Sequence, residues 1–144
     1  MMVDDFTQKI KRLQKKIEYD EEKKYSKVVI NEYRNPIHFG VLDHPDTIGQ
    51  IKGPCGDSMK FCLNIEKGVI KEACFWTDGC GATIASGNML IKMIIGKPLS
   101  DAINLTSEQL LDALHGLPKE HMHCTVLAVN TLQASIKNYQ IKNK

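Results

Sequence analysis

Two neighbouring stretches of alternating residues, 58–65 and 69–77, limit most strongly how this chain can fold. The apolar positions of the first stretch are Met59, Phe61, Leu63 and Ile65, each separated from the next by one residue. This period of two is typical of a strand with one buried face. The residues between the stretches, 66–68, end in glycine and are enough for a tight turn. The sequence therefore predicts an antiparallel hairpin, with Ala73 and Phe75 on the inward face of its second strand.

Helical periodicity precedes the hairpin. Residues 4–24 are rich in charge and carry an apolar stripe at alternating spacings of four and three, formed by Phe6, Ile10, Leu13 and Ile17. This spacing predicts a helix that rests on the body of the protein or on a partner chain. Tyr25, Val28, Val29 and Tyr33 predict a second helix, and Asn35-Pro36 ends it because the residue before proline avoids helical geometry.

The residues after the hairpin predict three more helices. One begins after Gly79 and ends near Gly96 and Pro98, a second opens with the capping box Thr106-x-x-Gln109, and the last covers about 122–139. With a short strand near 48–52, the order predicts an α+β fold. We expect a small antiparallel three-stranded sheet with helices packed on one face, plus an extra N-terminal helix. Residues 1–24 form an N-terminal extension and 25–144 one domain.

Composition excludes several classes of protein. The chain has 144 residues, enough for one domain with a core, and a net charge of only +2, which gives no nucleic-acid footprint. No apolar run approaches the roughly 20 residues of a membrane span, and the start has no apolar signal region. We therefore expect a cytoplasmic protein whose five cysteines are mostly reduced thiols.

Three cysteines stand where regular structure begins or ends. Cys55 lies in a Gly-Pro loop two residues before Asp57, Cys80 lies between two glycines at a strand–helix junction, and Cys124 follows His123 in the first turns of the last helix. Such junctions hold side chains on rigid supports. A helix N-terminus also stabilises the thiolate, which is the form that binds metal. These positions predict a metal or redox site.

The residue types alone leave the metal undecided. The chain has no Cys-x-x-Cys pair, so the zinc-ribbon and ferredoxin patterns are both absent. Three thiols with a fourth ligand from Asp57 or His123 suit tetrahedral zinc and a 2Fe–2S cluster equally well. The residues therefore predict a three-cysteine site with an interchangeable fourth ligand.

Three motifs together resemble one family. GPCGD at 53–57, GCGATIASG at 79–87 and HC at 123–124, in this order and spacing, resemble the IscU/NifU-type iron–sulfur cluster assembly scaffolds. The stretch YSKVVINEYRNPIHFG resembles the opening helix of that family. The resemblance runs from about Tyr25 to Tyr139, roughly four fifths of the chain.

The resemblance implies a scaffold and not an enzyme. In such proteins sulfur arrives as persulfide from a cysteine desulfurase, joins iron on the three cysteines as a 2Fe–2S cluster, and the cluster passes to recipient apo-proteins. The ligands and persulfide acceptors would be Cys55, Cys80 and Cys124. Asp57 would ligate metal and keep the cluster labile, and His123 would be an alternative metal ligand. Members of the family also bind zinc at this site when isolated.

The sequence departs from the family pattern before the His-Cys motif. Where many members carry Leu-Pro-Pro-Val-Lys, a recognition site for a dedicated chaperone, this chain has Leu117-Pro118-Lys119-Glu120-His121, which argues against that chaperone. No long insertion separates Cys80 from Cys124, which argues against the branch of zinc-dependent sulfur acceptors. A zinc-bound persulfide acceptor in a sulfur relay remains the alternative function. For residues 1–24 the candidate roles are self-association and desulfurase docking.

Two cysteines lie outside these motifs. Cys62 and Cys74 fall mid-strand, on the face of the hairpin opposite the core, and an even register would set them across from each other. The hypothesis is a neighbouring thiol pair that can oxidise or bind a metal. A second hypothesis concerns His121, which is near enough in sequence to reach the three-cysteine site.

Overall fold

The computed structural model describes residues 2–54 and 56–143, with side chains from residue 5 onward, so the predicted ligand Cys55 lies outside the described residues. The elements follow one another as helices, a sheet and further helices. In chain order they are α1 (Met2–Lys24), α2 (Lys27–Arg34), β1 (Thr47–Lys52), β2 (Ser58–Glu66), β3 (Val69–Thr77), α3 (Gly81–Ile94), α4 (Leu99–Ala102), α5 (Ser107–Ala113), a 3₁₀ turn (Lys119–His121) and α6 (His123–Lys142).

The three strands form one antiparallel sheet in the order β1-β2-β3. Phe61 in the central strand lies opposite Gly49 of β1 and Phe75 of β3. The hairpin turns at Lys67 and Gly68, whose φ angles of 54° and 77° are both in the left-handed region. This is the geometry of a two-residue hairpin turn, in which glycine is favoured. The predicted hairpin is confirmed, and the predicted first strand begins one residue earlier, at Thr47.

The core lies between one face of the sheet and the helices α3 and α6. Met59, Phe61, Leu63 and Phe75 are fully buried there, as the alternation predicted. Glycine permits the close approach of α6, because a Cβ on Gly49 would stand 2.4 Å from the backbone nitrogen of Ser135. The predicted fold class, a three-stranded antiparallel sheet with helices on one face, is confirmed.

Helix α2 forms a further layer over α3. Its N-cap Ser26 accepts a hydrogen bond from the Val29 backbone nitrogen and donates one to the Leu114 carbonyl oxygen at 2.7 Å. Glu32 is buried and paired with Lys92, whose Nζ lies 2.6 Å from its Oε1. The ion pair balances the buried carboxylate and joins the two helices.

The predicted N-terminal helix is confirmed as α1, and its apolar stripe is exposed to solvent. Phe6, Ile10, Leu13 and Ile17 are between 41% and 65% exposed, so the stripe does not rest on the body of this chain. An ion pair between Glu21 and Arg34 ties the end of α1 to α2. Among the described residues, no helix combines the length and apolar character needed to cross a membrane.

Two short elements and two isolated bridges were not predicted. These are α4, the 3₁₀ turn before α6, a parallel bridge between Phe39 and Phe75, and an antiparallel bridge between Val69 and Pro98. The Gly40 nitrogen donates to the Phe75 carbonyl at 2.8 Å, and the Asp46 nitrogen donates to the Leu63 carbonyl at 2.9 Å. The segment between Gly40 and Asp46 therefore leads from the β3 edge of the sheet to the start of β1.

Candidate functional site

Two loops at one end of the hairpin are locked together by hydrogen bonds. The Ser58 nitrogen donates to Asp78 Oδ1 at 2.7 Å, and the Thr77 hydroxyl donates to the Ser58 carbonyl at 2.6 Å. The Gly79 nitrogen then donates to Thr77 Oγ1 at 3.1 Å. These bonds fix the residue before β2, Asp57, relative to the residue before α3, Cys80.

Cys80 and Cys124 stand at the N-termini of two helices that pack against each other. Cys80 is the N-cap of α3 and is exposed, whereas Cys124 is the second residue of α6 and is only 1% exposed. The two thiols therefore differ strongly in their access to solvent. Cys124 belongs to the face of α6 that packs on the body, so an incoming reactant reaches Cys80 first.

Thr83 joins the two thiols and the carboxylate. Its hydroxyl oxygen lies 3.3 Å from Cys124 Sγ and 3.7 Å from Cys80 Sγ, and the hydroxyl donates to Asp57 Oδ2 at 3.4 Å. Thr83 is fully buried and stands one helical turn after Cys80, which puts both side chains on one face of α3. A hydroxyl has one proton and two acceptor positions, so Thr83 can serve a thiol and a carboxylate at once.

Glycine at position 79 leaves room for this arrangement. A Cβ there would lie 2.8 Å from Asp57 Oδ2 and 2.8 Å from the Thr83 hydroxyl oxygen, closer than real Cβ contacts allow. The glycine beside Cys80 is thus required for the approach of Asp57 to Thr83.

Two histidines flank the thiols in different ways. His121 in the 3₁₀ turn has its Nδ1 4.0 Å from Cys80 Sγ, and the ligand atoms of Cys80, His121 and Cys124 all lie within 4.8 Å of one another. His123 has its Nε2 3.8 Å from Cys124 Sγ. It also lines a groove together with Glu108 and Leu111 of α5. The structure therefore brings His121 close to both thiols, as its proximity in sequence suggested. His123 lies close to Cys124 but is not part of the group formed by Cys80, His121 and Cys124.

Two tyrosines, Tyr25 just before α2 and Tyr33 near the end of α2, form the rim of the site. The Tyr25 ring lies 5.9 Å from the His121 ring and 6.0 Å from the Tyr33 ring, centroid to centroid. Burial raises the pKa of Tyr25; Lys24 opposes the shift, and the Cys80 thiol adds to it. Burial and a hydrogen bond with Glu21 raise the pKa of Tyr33 to about 12. Both rings are therefore neutral at physiological pH and act as apolar walls.

Of the predicted site residues, the structure brings Asp57, Cys80 and Cys124 together around Thr83. Cys55 lies outside the described residues. Thr83 was missed by sequence reasoning. The signal for it was a polar residue three positions after Cys80, a spacing that puts both side chains on one face of a helix.

The site combines two soft sulfur donors with one imidazole and one carboxylate. Thiolates bind iron, zinc and copper(I), imidazole suits iron and zinc, and carboxylate is the hard and more weakly held partner for these metals. This donor set fits iron, zinc or an iron–sulfur cluster. The open side at Cys80 leaves a route to solvent.

Comparison with known proteins defines the class to which this fold and site belong. The chain matches the family described as the NifU-like N terminal domain over residues 24–144. It is 40% identical over 121 residues to the iron–sulfur cluster assembly scaffold protein IscU of Aquifex aeolicus, covering 82% of this chain and 77% of that protein. The chain belongs to the IscU/NifU family of iron–sulfur cluster assembly scaffolds.

Two further relatives agree. IscU 1 of Archaeoglobus fulgidus is 36% identical over 120 residues, covering 83% of this chain and 78% of that protein. The solved N-terminal structure of a nitrogen-fixing NifU-like protein from Brucella abortus superimposes with a TM-score of 0.63. That match covers 81% of this chain and 94% of the other at 18% identity, so it speaks for the fold alone.

Proposed function

We propose that this protein is a scaffold on which 2Fe–2S clusters are assembled from iron and sulfur and then transferred to apo-proteins. The observation that carries the proposal is the convergence of the Cys80 and Cys124 thiols and the Asp57 carboxylate on the Thr83 hydroxyl, at an open edge of the fold. The relatives named as scaffolds support the same assignment. None of them favours the alternative, a zinc-bound persulfide acceptor in a sulfur relay.

The proposed ligands of the cluster are Cys55, Asp57, Cys80 and Cys124. The three thiols hold iron as thiolates, and the positive end of a helix favours that form at Cys80 and Cys124. Asp57 is the weaker ligand. Because an oxygen donor exchanges more readily than a thiolate on iron, Asp57 gives the cluster a route of release. His123 is a proposed alternative metal ligand, and His121 competes with it because its Nδ1 is the imidazole nitrogen near Cys80.

The proposed sulfur donor is a cysteine desulfurase, and Cys80 is its first acceptor among the described thiols. A thiolate receives the outer sulfur of a persulfide when it attacks that sulfur and the donor cysteine leaves as thiolate. The exposed Cys80 can meet a donor protein without rearrangement of α3, whereas the buried Cys124 cannot. Recipient apo-proteins are the second class of partner, and zinc is a proposed occupant of the same ligands in the isolated protein.

We propose that residues 25–144 form the scaffold domain and residues 1–24 an extension of it. The family match begins at residue 24, where α1 ends. The exposed stripe of α1 is available to another chain, either a second copy or a desulfurase. A role of the dedicated chaperone is not proposed, because the Lys119-Glu120 pair replaces the apolar part of its motif.

The proposal is tested by anaerobic assembly with ferrous iron, a cysteine desulfurase and cysteine, followed by visible absorption. We expect the charge-transfer bands of a 2Fe–2S cluster in the wild type and their loss in Cys55→Ser, Cys80→Ser and Cys124→Ser. Cys62→Ser is the matched control, because it also loses a thiol and should keep the bands. Retention of zinc with persulfide on one thiol and no cluster would instead favour the sulfur relay.

A further inference from the structure

The two cysteines outside the site motifs face each other across the hairpin. Cys62 of β2 is the direct partner of Cys74 of β3 in the antiparallel register. Directly opposed residues in such a pair have Cα atoms about 4.5–5.5 Å apart, which lies inside the range of about 4.4–6.8 Å that a disulfide spans. The hypothesis that an even register sets these thiols opposite each other is confirmed.

We propose that Cys62 and Cys74 are a redox-active thiol pair, separate from the cluster site, which a glutathione-class disulfide converts to a cross-strand disulfide. The proposal does not rest on the scaffold function. Both thiols are on the face of the sheet opposite the core, and along β2 five residues separate Cys62 from Asp57. At about 3.3 Å per residue that is roughly 16 Å, too far for either thiol to take part in the site.

The two thiols differ in access, and this difference fixes the order of events. Cys62 is 1% exposed, whereas Cys74 is half-buried and lines a shallow cavity with Leu42, Glu72 and Lys71. A dissolved disulfide therefore reaches Cys74 first. Cys62 is shielded from the reagent but lies directly opposite Cys74 in the strand register.

The chemistry balances in two exchange steps. The Cys74 thiolate attacks one sulfur of the glutathione disulfide, forms a mixed disulfide and releases one glutathione thiolate, which takes up the proton lost from Cys74. The Cys62 thiolate then attacks the Cys74 sulfur and releases the second glutathione. The two protein thiols lose two electrons and two protons in total, and one glutathione disulfide becomes two glutathione thiols.

The surroundings make the pair slow to react. Burial, then the neighbouring Cys62 and Glu72, raise the pKa of the Cys74 thiol, so little of it is thiolate at neutral pH. Exchange therefore calls for long incubation with oxidised glutathione. Once formed, the bond joins two strands that are already paired, so it closes without rearrangement of the sheet.

The test uses the full chain with Cys55→Ser, Cys80→Ser and Cys124→Ser, in which Cys62 and Cys74 are the remaining cysteines. After incubation of the folded protein in glutathione redox buffer, the free thiols are alkylated and the chain is digested with trypsin. Lysines at 67 and 71 separate the two cysteines into different peptides. We expect a single disulfide that joins these peptides, and a Tm higher by roughly 5–10 °C than that of the reduced chain.

Two single variants in the same background separate the roles of the thiols. Cys62→Ser should trap glutathione on Cys74, and Cys74→Ser should leave Cys62 reduced because it is buried. The same disulfide is sought in the wild-type chain, so that a folding defect of the triple variant does not decide the result. There the linked peptides are fragmented to locate the bond, because residues 72–92 carry both Cys74 and Cys80. If Cys74 stays as a stable mixed disulfide while Cys62 is present, or if both thiols stay reduced until the chain unfolds, the proposal is wrong.

Discussion

The Thr83 hydroxyl oxygen lies 3.3 Å from Cys124 Sγ, and both side chains are buried beneath the exposed Cys80. The same hydroxyl donates to Asp57 at 3.4 Å. The floor of the candidate site is thus one threonine that contacts a thiol from α6 and a carboxylate from the loop before β2. Thr83 is a positioning residue, because it holds the groups that would bind metal without being one of the proposed ligands.

Removal of the Thr83 hydroxyl should weaken metal binding and leave the fold intact. Thr83→Val keeps the shape but removes the hydrogen bond to Asp57 and the contact with Cys124. We expect the affinity for Zn²⁺ to fall about tenfold, the lower end of the effect of groups that orient metal ligands. Competition with a chromophoric chelator measures this. Thr83→Ser keeps the hydroxyl and should bind as the wild type, and equal affinity in both variants would contradict the role of Thr83.

A methyl group at position 79 should disturb the site from the side. In Gly79→Ala the new Cβ meets Asp57 Oδ2 and Thr83 at 2.8 Å, so one of the two must move. We expect the affinity for Zn²⁺ to fall at least about tenfold, because Asp57 and Thr83 lose their orientation toward the metal ligands. Gly53→Ala is the control in the neighbouring loop, since its Cβ would meet Leu127 at an ordinary 3.5 Å. Similar affinities in the two variants would contradict the tight packing inferred here.

Metal removal should leave the chain folded. The core is built from apolar side chains between the sheet and α3 and α6, such as Phe61, Phe75 and Leu132, and none of them depends on the site. A bound metal adds stability only by mass action, so chelation should lower Tm by a few degrees at most when metal is near its dissociation constant. Far-ultraviolet circular dichroism of the chelated protein checks this. Unfolding on chelation would indicate a structural zinc module.

The sheet and the order of helices could be predicted because their signals are local. Alternation gave the inward positions of β2, and the capping box at Thr106 and Gln109 is present as predicted. The convergence around Thr83 depends on how α3 packs against α6, and no local pattern reports that packing. The cysteine motifs identified the structural elements that form the site. They did not identify Thr83, the residue that the side chains from these elements contact.

The burial of Cys62 and the position of His121 also depended on tertiary contacts. Cys62 was predicted on the face opposite the core, and yet it is 1% exposed. The segment from Gly40 to Asp46 leads across to β1, and its Leu42 lines the cavity beside Cys74. His121 is brought to Cys80 by a 3₁₀ turn of three residues, which is too short to leave a periodic signal.

One tyrosine should titrate unusually late. Since burial and Glu21 raise the pKa of Tyr33 to about 12, its neutral form is favoured in the folded state. Its contribution to the free energy of unfolding is complete below the unfolded value of about 10, and it is lost as the pH rises from there through 12. Tyrosinate absorbance against pH should show this late transition in the wild type. Its persistence in Tyr33→Phe would show that another of the four tyrosines is responsible.

The most direct test of the scaffold account is cluster transfer. The protein is loaded anaerobically with iron and desulfurase-generated sulfur and then mixed with apo-ferredoxin, and the two proteins are separated and their spectra recorded over time. We predict that the cluster moves to ferredoxin, and that it moves more slowly from Asp57→Ala, which lacks the exchangeable oxygen ligand. If the wild type keeps its cluster, or forms none and holds zinc and persulfide, the scaffold account is contradicted.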